Sequence, residues 1–365
     1  MSMAKKIIIA GGGTGGHIFP AVAIANALRR EDPSLSVLFV GAKGKMEMEK
    51  VPQAGYEIRG LDIAGFNRSS LIKNFTLPFK IMKSFVQVSE IMKSFRPDAV
   101  VGVGGYSTYP VLRYAQSRGI PTFIHESNSF AGKSNILLGR KATKIFVSGD
   151  GMESFFPKDR IVITGNPIRQ SIADLNISRA DGVRHFRLDP SRKTVFVTGG
   201  SLGGKNINEA IAASIDEFAV HDLQLIWQAG KAFAETAKVA ADKRKNVWTS
   251  DFISQMEYAF AAADVVVSRS GAMAVAELCV VRKPVIFVPF PFAAEDHQTV
   301  NAKRLVDKNA ALMITDEEVR SKLMPTIVEL SGDVAKQNEL KTNIGKLAVK
   351  NADEIIAREI LTTIA

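Results

Sequence analysis

KKIIIAGGGTGGH, residues 5–17, runs a short apolar strand-like segment straight into a glycine-rich turn. KTVFVTGGSLGG, residues 193–204, repeats that plan nearly two hundred residues later. Each turn is followed by a helix-like stretch, 19–30 and 206–218. Further short runs then pair off between the halves: 36–40 with 223–227, 98–103 with 264–268, and 122–125 with 285–288. These runs are nearly continuous in Val, Ile and Phe and are separated by helical segments. That pattern marks parallel strands buried on both faces. It predicts an α/β protein of two Rossmann-like, doubly wound domains.

The length fits two domains, since the chain has 365 residues and a domain takes roughly 100–200. The boundary is expected at GNP, 165–167, after a strand at 160–164. This gives a first domain at 1–165 and a second at 166–352. A last helical segment, 353–364, could return to the first domain.

Composition narrows the function classes. Apolar residues make up 46% and charged residues 23%, enough for a sizeable core in each half. The lone cysteine, Cys279, excludes an intramolecular disulfide and a cysteine metal site, and fits a reducing cytoplasm. The five histidines, His17, His125, His185, His221 and His297, are scattered. No apolar run reaches the roughly 18 residues of a transmembrane helix. The apolar run after Lys5 and Lys6 is too short for a signal peptide and reads as a first strand.

Charge is unevenly placed. Residues 1–165 hold 22 Lys/Arg against 12 Asp/Glu, whereas residues 166–365 hold 25 of each, so the whole net charge of +10 lies in the first half. That half is expected to face an anion: nucleic acid, phospholipid or a phosphate-bearing substrate.

The glycine turns specify chemistry only weakly by themselves. GGGTGGH, 11–17, matches G-x-G-x-x-G, but the second strand ends in VGAK, 40–43, without the acid that would hold a dinucleotide ribose. GGSLGGKN, 199–206, has the spacing of a P-loop, but Asn206 replaces the Ser or Thr that would hold Mg²⁺. A phosphate-cradling turn without a metal is left, with Ser201 as a hydroxyl donor.

Other motifs follow strand ends, where open α/β sheets bind ligands. SRSGAMAVAE, 268–277, places Arg269 and Ser270 there, with Glu277 further into a helix as either a surface carboxylate or an acceptor for two ribose hydroxyls. HESNSFAGKSN, 125–135, puts Asn128 among small polar residues, suited to hydroxyls or to helix capping. PFPFAAEDHQTVNA, 289–302, offers Gln298 to sugar hydroxyls. GVGGYSTYP, 102–110, sets Tyr106 against a ligand or in plain packing.

Taken in order, GGTGGH at 12–17, GGY at 104–106, HESN at 125–128, GNPIR at 165–169, GGSLG at 199–203, RSGAMAVAE at 269–277 and DHQTVNA at 296–302 resemble the peptidoglycan N-acetylglucosaminyltransferase family. The resemblance runs from the first strand to about residue 302. It implies a GT-B fold, with two domains facing across a cleft. It also implies an inverting transfer of N-acetylglucosamine from UDP-N-acetylglucosamine to lipid I, undecaprenyl-diphosphate-linked N-acetylmuramoyl-pentapeptide, giving lipid II. No cofactor or bound metal is implied. The donor is assigned mainly to the second domain and the acceptor to the first. Carried over by motif, Thr14, Gly15, Gly16, Asn128, Arg169, Ser201, Ile253 and Gln298 are donor-site positions. Ile253 would hold the uracil through its backbone and Glu277 the ribose, while Ser270, Gly271 and Ala272 would offer N–H groups.

An attacking hydroxyl needs a base. His17 is the candidate, because imidazole titrates near the working pH; the alternatives are that it donates to a phosphate or caps the helix. Glu126 is held in reserve. The stretch 66–96, FNRSSLIKNFTLPFKIMKSFVQVSEIMKSFR, carries six basic residues and one acid among Phe, Leu, Ile and Met. It is expected to touch an anionic bilayer, chiefly through 66–78 with Ile72, Phe75 and Leu77, or else to be a core-facing helix with a solvated basic side. The implied location is peripheral, on the cytoplasmic face of the bacterial inner membrane, among other cell-wall synthesis proteins. Two other classes compete. One is a GT-B enzyme with another lipid or small-molecule acceptor. The other is a nucleic-acid binder, which the scarcity of Tyr and Trp and the lack of a recognisable module argue against.

Overall fold

A computed structural model describes residues 4–64, 77–200, 203–293 and 296–365, with only the backbone of 77 and 78. Ile72, Phe75 and Ser201 lie outside the described residues, and Leu77 is placed by its backbone alone. The chain forms two compact units, Met1–Ile168 with Asn351–Ala365, and Arg169–Lys350.

In the first unit the strands are β1 (Lys6–Ala10), β2 (Ser36–Ala42), β3 (Glu57–Leu61), β4 (Ala99–Gly102), β5 (Thr122–Glu126), β6 (Lys144–Val147) and β7 (Ile161–Ile163). They lie in the order β3-β2-β1-β4-β5-β6-β7, every pair parallel. The helices between them are α1 (Gly15–Glu31), α2 (Glu47–Gln53), α3 (Leu77–Phe95), α4 (Thr108–Ser117) and α5 (Lys133–Gly139). The apolar run of β1 is continuous because both its faces are covered. Ile7 and Ile9 enter one cluster with Ile24 and Leu28 of α1, and Ile8 enters another with Val88 of α3 and Leu112 of α4.

The C-terminal helix, Ala352–Thr363, packs on α1 and so belongs to this unit. Its Ile356 and Ile360 are wholly buried in the cluster of Ile7 and Ile9, each contributing about 1.5–3 kcal/mol. Arg30 pairs with the buried Asp353 at 2.7 Å; the more exposed pair of Arg358 with Glu31, at 2.9 Å, fixes register more than it stabilises.

In the second unit the strands are β8 (Lys193–Thr198), β9 (Leu223–Gln228), β10 (Val247–Ser250), β11 (Val265–Ser268), β12 (Val285–Phe287) and β13 (Leu312–Met313). Their order is β10-β9-β8-β11-β12-β13, again parallel throughout. The helices are α6 (Gln170–Ala173), α7 (Arg179–His185), α8 (Lys205–Ala213), α9 (Glu217–Val220), α10 (Ala234–Ala241), α11 (Met256–Ala262), α12 (Ala272–Val281), α13 (His297–Val306), α14 (Val319–Gly332) and α15 (Val334–Gly345). Val195 and Val197 of β8 join Ile207 of α8 and Ile327 of α14 in one core. Cys279 is part of the interior, and burial pushes its thiol up to about 12, so it is not a reactive thiol.

Both sheets reverse their direction of winding beside the first strand, between β1 and β4 and between β8 and β11. Such switch points are where doubly wound sheets bind ligands. The two expected α/β domains are present, and each glycine turn leaves its sheet at a switch point. Two element bounds differ from expectation. The helix expected at 19–30 begins at Gly15, because the last two glycines wind into its first turn. The helix expected at 206–218 is broken into α8 and α9 by a turn at 214–216.

Candidate active site

In the first unit, the turn after β1 and the loop after β4 interlock through glycines. Gly12 N–H donates to Gly104 O at 3.1 Å. A Cβ on Gly105 would stand 2.4 Å from Gly12 O, and one on Gly104 would stand 2.8 Å from His17 Nε2. Gly104 and Gly105 have left-handed φ, +97° and +93°, so glycine is required by conformation and by space. That is the physical content of the GGY motif. Tyr106, next in the chain, is half-exposed.

Three amides of GGG are already engaged. Gly11 N donates to Val40 O, Gly12 N to Gly104 O, and Gly13 N to Glu47 Oε2 at 2.8 Å. The anion-facing amides of the motif are therefore the following ones, at the start of α1. Thr14 occupies the N-cap without a side-chain cap bond, so the first-turn N–H groups around Gly15 and Gly16 point outward with the positive end of the helix dipole. His17 sits in that first turn. Its Nδ1 is 2.9 Å from Gly12 O. A carbonyl only accepts, so Nδ1 carries the proton and the neutral ring presents Nε2 as an acceptor. The ring thus does not cap its helix.

Glu126 and Asn128 form a loop of their own after β5. Glu126 is buried, and its carboxylate accepts from Asn128 N and Nδ2, Gly132 N and Asn135 Nδ2, at 2.8–3.2 Å. Four donors on two oxygens occupy its lone pairs and make it the organiser of this loop rather than a base. Asn128 is held through both its amide groups.

His125, one residue earlier, is 1% exposed. Burial holds its pKa down at about 4; Asn166, beside it, acts in the opposite direction, and a proton on His17 would push it lower still. Among the described residues, neither ring nitrogen nor Asn166 Oδ1 has a hydrogen-bond partner of good geometry. His125 is neutral in the folded chain.

In the second unit, the turn after β8 is equally tight. A Cβ on Gly199 would stand 2.0 Å from Gly204 N, and Gly200 and Gly203 have φ near +80°. Gln228, at the end of β9, ties this turn to the segment after β10: its Nε2 donates to Thr198 Oγ1, and its Oε1 accepts from Ile253 N at 2.9 Å. The N–H of Ile253 is thus engaged.

After β11 the chain starts α12. Gly271 is the N-cap, without a side-chain cap bond, so the first-turn N–H groups beginning at Ala272 again face outward. Ser270 is buried; its Oγ donates to Gln298 O at 2.8 Å, and its carbonyl accepts from Asn301 Nδ2. Gln298 Oε1 accepts from Phe290 N at 3.0 Å, which locks the loop after β12 to the start of α13. Glu277 lies in the second turn of α12, 6% exposed. It is no surface carboxylate: Arg169 Nε and Nη2 donate to its two oxygens, both at 2.8 Å. Burial alone would lower the pKa of Arg169, but the Glu277 carboxylate outweighs it and raises it.

Two residues carry more structure than their motifs suggested. Arg269 is buried and donates to Val288 O, Pro289 O and Asp316 Oδ1, while Asn206 donates to the other oxygen of Asp316. Arg269 therefore ties its own loop to those after β12 and β13 at the C-terminal edge of the sheet, and Asp316 links them to the start of α8. Glu47, 1% exposed, lies beneath the first glycine turn; nothing in the reading of motifs singled it out. The signal for it was a pair of glycines, Gly12 and Gly41. A Cβ on either would stand 2.2–2.5 Å from the Glu47 side chain.

Comparison with known proteins agrees with this architecture. The glycosyltransferase family 28 N-terminal domain matches residues 7–147, and the glycosyltransferase family 28 C-terminal domain matches residues 194–357. A UDP-N-acetylglucosamine–N-acetylmuramyl-(pentapeptide) pyrophosphoryl-undecaprenol N-acetylglucosamine transferase of Phocaeicola vulgatus is 49% identical over 358 residues, 97% of this chain and 95% of that protein. The enzyme of the same name from Flavobacterium psychrophilum is 47% identical, covering 98% and 97%. The crystal structure of Acinetobacter baumannii MurG superposes with a TM-score of 0.73 at 29% identity, covering 98% and 99%. With both halves matched and identity near one half over almost its full length, the chain is a two-domain GT-B protein that belongs to glycosyltransferase family 28, among the pyrophosphoryl-undecaprenol N-acetylglucosamine transferases.

Proposed function

We propose that this chain transfers N-acetylglucosamine from UDP-N-acetylglucosamine to lipid I, forming lipid II. The observation that carries this reading is the near-full-length identity of 44–49% to transferases of that name. A glycosyltransferase with another acceptor would share the fold but not that identity. The direct test is transfer of labelled N-acetylglucosamine to a short-chain lipid I analogue. Transfer to unrelated lipids but not to this analogue would sink the assignment.

The chemistry asks for a base, a cradle for the leaving diphosphate and a grip on the nucleoside. His17 Nε2 takes the proton of the attacking acceptor hydroxyl as the new bond forms at C1 of the donor sugar. The C1–O bond to the diphosphate breaks, and its electron pair leaves with UDP. Preorganised N–H groups stabilise that charge at no reorganisation cost. The uncapped starts of α1, with Thr14, Gly15 and Gly16, and of α12, with Ser270, Gly271 and Ala272, supply them; by its motif Ser201 adds a hydroxyl donor. Glu277, aligned by Arg169, accepts from the ribose hydroxyls. Ile253 reads the uracil through its carbonyl, and Gln298 and Asn128 meet sugar hydroxyls. His17→Ala is expected to lower kcat by about 10²–10⁴-fold while leaving donor Kd nearly unchanged. A loss confined to binding would make His17 a positioning residue.

The acceptor carries a long polyprenyl chain, so the enzyme works at a membrane. No helix among the described residues is long and apolar enough to cross one. The exposed face of α3 supports peripheral docking. Phe79, Met82 and Val86, spaced three and four apart, form one outward stripe, while Ser84, Val88, Ile91 and Met92 turn inward. Exposed Lys80 and Lys83 flank the stripe. Apolar side chains between lysines suit an anionic lipid surface, here at the cytoplasmic face of the bacterial inner membrane.

A further inference from the structure

Glu47 opens α2, yet its carboxylate is buried at 1% exposure. Its Oε1 accepts from Ala42 N at 3.0 Å and its Oε2 from Gly13 N at 2.8 Å. That Gly13 N–H is one end of the Gly12–Gly13 peptide. The other end, Gly12 C=O, accepts from His17 Nδ1 at 2.9 Å. One planar peptide group therefore stands between the carboxylate and the imidazole, hydrogen-bonded at both ends.

We propose that Glu47 is a positioning residue for glycosyl transfer, acting on His17 through the Gly12–Gly13 peptide. It fixes the Nδ1–H tautomer and stabilises the imidazolium that forms when Nε2 takes the acceptor proton. This rests on the reading of His17 as the base. The physics is that of a polarised chain. An anionic acceptor on the amide N–H draws density toward the carbonyl oxygen, which then accepts more strongly from Nδ1–H; each bond in such a chain strengthens the next by roughly 10–30%. Burying a carboxylate is costly, and what it adds over a neutral amide is charge, delivered here to two peptide N–H groups, of which the Gly13 one leads to His17.

The glycines clear the path. Gly12 has φ +149°, and a Cβ there would stand 2.2 Å from Glu47 Cδ; one on Gly41 would stand 2.5 Å from Glu47 Cγ. The ionisable groups around His17 leave Glu47 as the source of this effect. His125 on β5 is neutral and, if charged, would oppose imidazolium formation. Glu126 has its carboxylate occupied by its own loop. The loop after β4 presents the backbone of Gly104 to the ring.

Two measurements test this. In the unmodified protein, ¹⁵N NMR of the histidine rings, with His17 assigned by comparison with His17→Asn, is expected to show the Nδ1–H tautomer in the neutral ring. An Nε2–H tautomer would overturn the proposal without any variant of Glu47. In Glu47→Gln the NMR titration of His17 and the acid limb of the kcat–pH profile are both expected to move to lower pH by about half a unit or more. Plateau kcat is expected to fall about 3- to 10-fold as the base weakens, with donor KM within about twofold. If Glu47→Gln does not fold, the tautomer measurement can still overturn the proposal. A His17 titration that stays put in a folded Glu47→Gln variant removes the coupling. Retention of kcat by His17→Ala would instead remove the base reading, so the two failures are told apart.

Discussion

Arg169 and Glu277 meet in two parallel hydrogen bonds of 2.8 Å each, Nε to Oε1 and Nη2 to Oε2. The fork holds the carboxylate in one plane and leaves a further lone pair on each oxygen. A carboxylate so aligned can accept from two neighbouring hydroxyls without moving, which is the geometry a ribose requires.

Glu277→Ala therefore has two expected effects. Losing a charge-assisted acceptor, worth about 1.5–3 kcal/mol, weakens UDP binding by roughly 10- to 150-fold in calorimetry. Leaving Arg169 without its carboxylate also lowers the melting temperature, since breaking a buried pair costs about 3–5 kcal/mol. A lower melting temperature with unchanged UDP affinity would confine Glu277 to a structural role.

Turnover is expected to persist in EDTA. Each unit has a helix start whose N-cap makes no side-chain cap bond, at Gly15 and at Ala272, and such a start presents N–H groups and a dipole end suited to an anion. Neutralisation by such groups needs no Mg²⁺. Activity lost in EDTA and restored by Mg²⁺ alone would refute this.

The parallel sheets were legible because burial on both faces writes an unbroken apolar run, as in Ile7, Ile8 and Ile9. Strand order was not, because it is fixed by pairings such as Ile7 with Ala99, far apart in the chain. The same distance hid the site's wiring. Glu47 lies 34 residues from Gly13, and Arg169 lies 108 from Glu277. A carboxylate at the start of a short helix reads as a solvated charge until the fold places it under a turn. Arg269 stands at the end of its strand, where such sheets bind ligands. What the sequence does not show is its burial and its bonds to Val288, Pro289 and Asp316, which tie loops together.

His125 should make the fold sensitive to mild acid. An unfolded histidine takes up a proton near pH 6.5, whereas the folded ring, depressed mainly by burial, does so near 4. Between these values the unfolded chain binds a proton that the folded chain does not. The contribution to stability is therefore fully present above about pH 6.5, declines as pH falls to about 4, and is level below. Its full size is about 3 kcal/mol. Urea unfolding from pH 7.5 to 4.5 should show this slope, and His125→Phe should reduce it by one proton's worth. Equal slopes in both proteins would mean that His125 protonates in the native state.

The last expectation concerns α3. A helix that only covered a core would turn its apolar residues inward and its polar ones outward. Here Phe79 is 72% exposed and Met82 69%, although Val88 and Ile91 on the other side already fill the core. The exposed stripe therefore adds nothing to folding and is free to enter a lipid interface. Lys83 is partly neutralised by Asp62, at 2.8 Å; Lys43 and Lys83 together hold that acid at about 2. Lys80 makes no such pair among the described residues. Binding to vesicles of anionic lipid is expected to weaken as salt shortens the Debye length from about 10 Å to about 3 Å. A residue that resists salt should persist, carried by the apolar stripe. Phe79→Ser, Met82→Ser and Val86→Ser combined should remove that resistant part. Melting temperature and transfer to a short, soluble acceptor should stay close to those of the parent. If the triple variant binds vesicles like the parent at high salt, the lipid contact lies elsewhere on the first unit. If it melts markedly lower, the stripe is part of the fold after all.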